Sequence, residues 1–438
     1  MLVSTGAFAQ DRGTKTPYSP TDTTDTPAPT GYTPYFINYI GRHGARHVTS
    51  LKELSVLDRF LHDAASGGYL TAQGDTLKER VARILSVEKN YTPGDLTQTG
   101  LEEQAGIGRR MGDHYRLVLS SRSGGYVDIM YTGEARTKQS EESFVRAFWP
   151  AGLTGEQVTV YPWTVVPADS VHLRFFELSP RYRAFSKTGP WTGSFNRLLQ
   201  QPAYQQQLKA LAGRWFAPGF AQWTDKIPDA PALAEAVYAA AAITGGLSHE
   251  IAAAGFTLPD VDIFSLLTDT EIQWMALVGG ARDFLVKGPG FDQDGIQVRD
   301  AAPLLADFIR TTDNALNRGI GGVNLRFAHA ETVAPFAALI GLEGASTPDT
   351  SLGRYTDVWR ADQVIPFSAN IQWIVYRAPG APDLIKVLYN EHPVHLPIKT
   401  NAFPYYKWED VHRFYKEKLY RLGVGPDTDL YQYLLKLR

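Results

Sequence analysis

The chain has 438 residues, 44% of them hydrophobic and 20% charged, with a formal net charge of −3. This balance is typical of a globular protein of two structural units, and it excludes the overall basic field of many nucleic-acid binders. The sequence contains no cysteine, which excludes disulfides and thiolate metal sites, and no apolar run reaches the ~20 residues of a membrane-spanning helix.

The first ten residues, MLVSTGAFAQ, resemble the end of a secretory signal, with Ala7 and Ala9 at the small-residue positions before a cleavage site. This pattern predicts export to a bacterial periplasm or to the cell surface. A full signal also has charged and apolar parts that are missing here, so a frayed terminus is the alternative. Residues 13–34 are rich in Pro, Thr and Asp and are predicted to be too polar to pack. Residues 1–34 are therefore interpreted as a residual signal and a polar tether.

Strand patterns at residues 36–41, 126–132 and 322–328 each lead into a helical pattern. This alternation predicts an α/β fold with a mostly parallel central sheet flanked by helices. Residues 170–300 carry helical patterns with little strand signal, and they are predicted to form an inserted α-helical domain. The α/β domain would then consist of residues 35–169 and 301–438, and its last two strands would be joined by the turn APGAP.

Polar clusters follow all three predicted strands. In open α/β sheets, ligands bind in the crevice outside the carboxyl ends of the strands, so these clusters are expected to meet there. In chain order the clusters are Arg42, His43 and Arg46 in RHGAR, Arg136 and Thr137 in RTKQS, and His329 and Glu331 in HAE.

The residue types in these clusters suit phosphoryl transfer. The guanidinium groups of the three arginines match the geometry of phosphate oxygens, and Gly44 would let the backbone approach an anion. A neutral imidazole on His43 can attack phosphorus and form a phosphohistidine. Glu331 could protonate the departing oxygen, and His329 could stabilise the phosphoryl group in transfer. RHGAR alone is equally compatible with solvated polar residues at a strand end, and the other two motifs are weaker still.

Other motifs do not predict a site. His249 and Glu250 lack the second histidine of a zinc-protease helix, and GIGRRMG has the wrong glycine spacing for a dinucleotide loop. His392 and His395 flank Pro393, which argues against a pair of helical ligands. We therefore expect no metal and no other cofactor.

The motifs together resemble the multiple inositol polyphosphate phosphatase branch of the histidine acid phosphatase clan. Further segments carry this resemblance over most of the chain: LTQTGLEEQAGIGRRM, YTGEARTKQS, LRFFELSPRY, PLLADF, LRFAHAETVAPFAALIGL, IPFSANI and VLYNEHPVHLP.

The resemblance implies a role for each matching residue. His43 would be the nucleophile and Glu331 the proton donor, and the phosphate pocket would be formed by Arg42, Arg46, Arg136 and His329. It also implies a helical domain over the site, phytate as a favoured substrate and no metal. Two features depart from the family: Val48 stands where the clan often has proline, and the disulfides of eukaryotic relatives are impossible here.

The sequence therefore predicts a monomeric phosphomonoesterase that removes phosphates stepwise from inositol polyphosphates. Its partner would be this small phosphorylated substrate, with no nucleic acid involved. A broad-specificity acid or sugar phosphatase and a non-catalytic binder of phosphorylated ligands are the alternatives. A hexakisphosphate needs cations beyond the pocket for the reacting phosphate, and the candidates are Arg181, Arg183, Lys187 and Lys287.

Overall fold

The structure is a computed structural model that describes residues 11–19, 26–119, 125–148, 158–164, 170–221 and 223–437. The predicted signal, residues 1–10, lies outside this part of the chain. Among the described residues, no helix combines the length and the apolar character that crossing a membrane requires.

The strands form one mixed sheet, which confirms the α/β class. They are β1 Thr33–Arg42, β2 Gly125–Tyr131, β3 Val158–Thr164, β4 Gly322–Ala328, β5 Asn370–Arg377, β6 Leu384–Tyr389, β7 His392–Pro393 and β8 Tyr405–Lys407. Their order is β3-β2-β4-β1-β5-β6-β7, and β8 also pairs with β6. The strands β3, β2, β4 and β1 are parallel neighbours, whereas β5 and β6 form the predicted antiparallel hairpin.

Helices surround this sheet and fill the region between residues 170 and 300. They are α1 Lys52–Ser66, α2 Ala72–Glu88, α3 Gln98–Tyr115, α4 Ala135–Phe148, α5 Ser170–Leu173, α6 Phe175–Leu178, α7 Pro180–Thr188, α8 Thr192–Leu199, α9 Pro202–Trp215, α10 Ala230–Ile243, α11 Ser248–Ala253, α12 Asp269–Val286, α13 Ile296–Arg299, α14 Ala302–Arg318, α15 Ala330–Leu339, α16 Ala361–Val364, α17 Trp408–Arg421 and α18 Leu430–Lys436.

Local sequence explains where the central elements lie. All residues of β4 are buried, as expected for a parallel strand that is covered on both faces by helices. Helix α3 begins directly after Thr97, whose hydroxyl accepts a hydrogen bond from the Gly100 N–H at 3.1 Å and so caps the helix. A capping box between Thr268 and Glu271 starts α12 in the same way.

Two large apolar clusters show how the helical region is packed. One lies between the sheet and its covering helices, and it includes Phe175, Trp191 and Leu198 from the short helices α6 to α8. The other joins α1 and α2 to α9–α12, with Leu61 and Trp215 among its members. Because α1 and α2 precede residue 170, the helical core is not confined to the predicted insertion. The domain boundaries drawn from the sequence stay a prediction.

The prediction that residues 13–34 are too polar to pack is wrong for the described parts of that segment. The Tyr18 N–H donates to Glu103 at 2.7 Å, and the Tyr18 hydroxyl bonds Glu391 at 2.9 Å. The carbonyl of Thr26 accepts from the Tyr405 hydroxyl at 3.0 Å. Hydrogen bonds of the backbone and of aromatic hydroxyls fix this polar segment, and such bonds leave no signal in a hydrophobic pattern.

Candidate active site

The three polar clusters meet at one edge of the sheet, as predicted. Arg42 ends β1, His329 follows β4, and Arg136 lies in the first turn of α4 just after β2. The register pairs Arg42 with Ala328 and Tyr131 with Phe327, so the three parallel strands end side by side.

Backbone hydrogen bonds hold the first cluster in place. The His43 N–H donates to the carbonyl of Ala328 at 3.0 Å, and the His43 carbonyl accepts from the Ser368 N–H at 3.0 Å. The Arg42 N–H donates to Ala369 at 2.7 Å. The segment that carries the predicted nucleophile is therefore fixed between the end of β4 and the segment that leads into β5.

The His43 ring is oriented as a nucleophile. Its Nδ1–H donates to the carbonyl of Gly44 at 2.9 Å, and none of the hydrogen bonds among the described residues uses Nε2. Only 4% of the residue is exposed. Burial, together with the charges of Arg42 and Arg46, lowers the pKa of His43 well below its ordinary value, so the ring is neutral near pH 7. Nε2 therefore carries an available lone pair.

His329 lies beside this ring, with 5.6 Å between the two ring centroids. Its Nε2 is 3.0 Å from the hydroxyl of Thr132, and its Nδ1 is 3.5 Å from Nη2 of Arg136. An arginine can only donate, so Nδ1 accepts and Nε2–H donates to Thr132. Burial and Arg136 lower the pKa of His329 to about 3. In this arrangement His329 orients Arg136, and its N–H is already used by Thr132.

The three guanidinium groups keep donors available for a ligand. Arg42 donates through Nη1 to the carbonyl of Thr14 at 2.6 Å and packs over Phe367 at 4.7 Å. The Nε atoms of Arg42, Arg46 and Arg136 are buried and have no partner among the described residues. Burial and Arg46 lower the pKa of Arg42 to about 10, and burial and Arg136 do the same for Arg46. Arg136 also pairs with Glu134 at 2.9 Å, but the excess of positive charge and the unused Nε donors favour the binding of an anion.

Glu331 lies in the first turn of α15, and its side chain is 36% exposed. Its Oε1 is 3.0 Å from Nζ of Lys287, which also pairs with Asp283 at 2.8 Å. Partial burial would raise the pKa of Glu331, but the charge of Lys287 holds it well below its ordinary value. Without a ligand the predicted proton donor is therefore ionised, and it can act as an acid only after its surroundings change.

Glycine at position 44 is required for a reason that the sequence did not reveal. We expected Gly44 to let the backbone approach an anion. In the structure, a Cβ on Gly44 would lie 2.4 Å from the carbonyl oxygen of Gly100 in α3, and one on Gly100 would lie 2.0 Å from the carbonyl oxygen of Ala45. The loop and the helix therefore pack backbone to backbone.

Glu103 supports this loop, and sequence reasoning missed it. Its carboxylate accepts from the N–H of Ala45 at 2.9 Å, from the N–H of Tyr18 at 2.7 Å and from the hydroxyl of Ser368 at 2.8 Å. Burial raises the pKa of Glu103 to about 7. The helical spacing of Glu103 from Gly100 was a signal that both lie on the inner face of α3, but acidic residues are rarely found there.

A pocket of about 530 Å³ opens beside Glu331, and we call it the basic pocket because its lining holds four cationic side chains against three carboxylates. Three of the four cations suggested for substrate binding, Arg183, Lys187 and Lys287, line it. Arg282 lines it as well, whereas Arg181 is exposed on α7 outside this lining. Glu331, the predicted proton donor, thus forms part of the wall of this pocket.

The motifs that the sequence analysis set aside lie elsewhere. The run GIGRRMG is part of α3, His249 pairs with Glu102 at 3.2 Å, and His395 stacks on Phe403 at 3.9 Å. Within the described ranges, no group of three or more His, Cys, Asp and Glu side chains is arranged to hold a metal ion.

Comparison with solved structures identifies chains of the same fold. The multiple inositol polyphosphate phosphatase of Bifidobacterium longum in complex with inositol hexasulfate matches with a TM-score of 0.78 and 23% identity, over 91% of this chain and 96% of that one. Its complex with phosphate matches with a TM-score of 0.78 and 22% identity, over 96% and 99%. The phytase of D. castellii matches with a TM-score of 0.67 and 14% identity, over 94% and 87%.

No protein-family model and no curated protein matches the chain. At the identities of the structural matches, the similarity establishes the fold, which is the one that the sequence resemblance implied.

Proposed function

We propose that the chain is a phosphomonoesterase that removes phosphates stepwise from inositol polyphosphates through a phosphohistidine on His43. One observation carries the proposal. The buried His43 ring is tied to Gly44 through Nδ1, is kept neutral, and leaves Nε2 available in the same cluster as three arginines whose Nε donors are unused. A nucleophile next to an anion site is the arrangement that phosphoryl transfer needs.

The reaction has two steps. The lone pair on Nε2 of His43 attacks phosphorus, the bond from phosphorus to the inositol oxygen breaks, and the acid form of Glu331 gives its proton to that oxygen. Water then attacks the phosphohistidine, Glu331 takes up a proton from the water, and inorganic phosphate leaves His43. The arginines stabilise the charge on the equatorial oxygens in both steps.

Substrate binding would supply the proton that the free site lacks. A phosphate group beside Glu331 adds negative charge and attracts Lys287, and both effects raise the pKa of Glu331. A substrate with many phosphates suits this requirement, because one phosphate can occupy the arginine cluster while another engages Lys287. The basic pocket beside Glu331 offers further cations for such a substrate. The B. longum phosphatase of the same fold forms a complex with inositol hexasulfate.

Incubation of the purified chain with phytate, followed by ion-exchange separation of the products, tests the proposal. We expect a series of lower inositol phosphates and a phosphate adduct on His43 in samples quenched without acid. Comparison of kcat/KM for phytate, sugar phosphates and p-nitrophenyl phosphate distinguishes the inositol phosphatase from a broad acid or sugar phosphatase. Binding of phytate without any release of phosphate would instead indicate a non-catalytic binder.

We also propose that the protein is exported and monomeric. The small residues Ala7 and Ala9 before Gln10 support export to a periplasm or to the cell surface. Cell fractionation with sequencing of the mature N-terminus tests the location, and light scattering on the purified chain tests the oligomeric state.

A further inference from the structure

The segment 11–19 lies against the anion site. The carbonyl of Thr14 accepts from Arg42 at 2.6 Å, and the carbonyl of Thr16 accepts from the N–H of Phe367 at 2.9 Å. On its other side the segment contacts helix α10, where Arg12 donates to the carbonyl of Ala241 at 2.8 Å. The segment is therefore fixed on both sides, and Lys15 at the centre of it has a defined position.

Lys15 has no acidic partner at ion-pair distance among the described residues. Its ammonium group donates to the carbonyl of Ala239 at 3.2 Å, which uses one of its three N–H bonds, and the residue is only partly buried. Four charged groups on the surrounding elements contribute to the electrostatic environment of Lys15: Arg46 after β1, Glu53 on α1, Glu88 on α2 and Asp283 on α12.

Two of those carboxylates are engaged by other groups. Glu88 bonds His47 at 3.2 Å, and Asp283 pairs with Lys287 at 2.8 Å. Burial and the charge of Arg46 lower the pKa of Lys15 to about 8. The charged form of Lys15 is therefore unfavourable in the free protein, and an anion bound near Lys15 would stabilise it.

We propose that Lys15 binds a phosphate of the substrate adjacent to the one held by the arginine cluster. The N-terminal segment then completes a site for compounds that carry several neighbouring phosphate or sulfate groups. The inference rests on the proposed function and deepens it, because it assigns a substrate-binding residue outside the motifs that carry the resemblance.

The proposal predicts a specific pH dependence of binding. A bound anion stabilises the charged form of Lys15, so the pKa of Lys15 is higher in the complex than in the free protein. Below about pH 8 Lys15 is already protonated, and affinity does not depend on its titration. Above that pH the complex must take up a proton, and affinity falls by up to about tenfold per pH unit.

Titration calorimetry with inositol hexasulfate tests this without catalysis. The ligand cannot be hydrolysed by a phosphatase, and its sulfate groups keep their charge over the range from about pH 6.5 to about pH 9.5. We expect the ratio of wild-type to Lys15→Met affinity, in which the titration of Glu103, Arg42 and Arg46 cancels, to be constant up to about pH 8 and to decline above it, with proton uptake measured in buffers of different ionisation enthalpy. Lys15→Met should bind roughly 10- to 100-fold more weakly at the lower pH and lose the contribution of Lys15 to the pH dependence.

Two further variants serve as controls. Lys209 is exposed on α9, so Lys209→Met removes the same charge and should bind like the wild type. Lys15→Arg should retain affinity at low pH and lose the decline above about pH 8, because a guanidinium does not titrate there.

Each outcome is decisive. Equal affinity and pH dependence in Lys15→Met and the wild type would overturn the inference and leave the proposed function intact. If the methionine variant did not fold, the same comparison with Lys15→Gln, which keeps a polar side chain at this position, would decide in its place. Binding that depends on Lys15, combined with no release of phosphate from phytate, would support the inference and refute the proposed function.

Discussion

The arginine cluster at the sheet edge and the basic pocket beside it both carry several cations, but they are built differently. Arg42, His43 and His329 are buried, and backbone hydrogen bonds to Ala328, Ala369 and helix α15 fix them in place. Arg183 and Lys187 are exposed side chains on one helix surface. A buried charged side chain has a fixed position and a shifted pKa, whereas the charge of an exposed side chain is screened by solvent. If the proposed function is correct, we expect the sheet edge to perform the chemistry and the pocket to select the substrate.

The largest effect should come from removing the nucleophile. His43→Ala should lower kcat by roughly 10⁵-fold or more on every phosphomonoester, because no bond to phosphorus can then form. Thermal unfolding should remain close to that of the wild type, since the alanine leaves the backbone bonds of residue 43 in place. Single-turnover assays together with mass spectrometry of the adduct check this. An alanine variant that retained substantial activity would contradict the proposed chemistry.

Glu331→Gln should have the next largest effect, and the effect should depend on the leaving group. A general acid typically contributes ~10²–10⁴-fold when the leaving oxygen needs a proton. An inositol alkoxide needs that proton, whereas a nitrophenolate leaves readily without it. We therefore expect a large loss in the phosphorylation rate on phytate and a much smaller loss on p-nitrophenyl phosphate. Single-turnover kinetics are required, because slow hydrolysis of the phosphohistidine would hide the difference. Equal losses in phosphorylation rate on both substrates would mean that Glu331 holds the site in position and does not donate the proton.

Gly44→Ala tests how rigid the sheet edge is. The added Cβ meets a backbone carbonyl at 2.4 Å, so the loop or α3 must shift, and a misplacement of this size can cost ~10²-fold in rate. Gly213→Ala is the matched control, because Gly213 is exposed within α9 and has no atom within 4 Å of the added Cβ. That control should leave kcat unchanged and stabilise the fold by about 0.5–1 kcal/mol. Similar kinetics for the two variants would show that the loop adapts freely.

The smallest effect is expected in the basic pocket. The double variant Arg183→Met with Lys187→Met should raise KM for phytate a few-fold, since an exposed ion pair contributes about 0.2–1 kcal/mol. Its kcat on p-nitrophenyl phosphate should not change, because that substrate has no second phosphate. The same double substitution at Lys209 and Lys226, which are exposed on the helical region, provides a charge-matched control. A lower kcat on p-nitrophenyl phosphate would show that the pocket residues take part in the chemical step.

Much of the fold and of the sheet-edge cluster follows from the sequence. The three strand patterns that lead into helices predict the parallel strands, and RHGAR, RTKQS and HAE lie at the ends of those strands. The physical reason is general, because the carboxyl ends of parallel strands meet at one edge whatever covers the sheet. Local patterns of this kind can be recognised in a single sequence, because each depends only on residues that are close together along the chain.

The supporting groups could not be predicted in this way. Glu103 lies in a segment that carries the resemblance and Lys287 was a candidate substrate cation, but neither the loop contact of the first nor the ion pair of the second with Glu331 could be inferred, and Lys15 lies outside every motif. Each acts through residues that are distant in the chain. Sequence patterns treated residues 13–19 as a tether because those residues are polar, but hydrogen bonds to both sides fix them.

The sequence by itself determined the α/β class, the strand ends that carry the arginines and histidines, and the absence of cysteine chemistry. Only the tertiary structure decided the protonation of the site. His43 is neutral because burial and two guanidinium groups surround it, and Glu331 is ionised because Lys287 reaches it from α12. A pKa depends on the charges and the solvent around a group in three dimensions, and separation along the chain does not encode those distances.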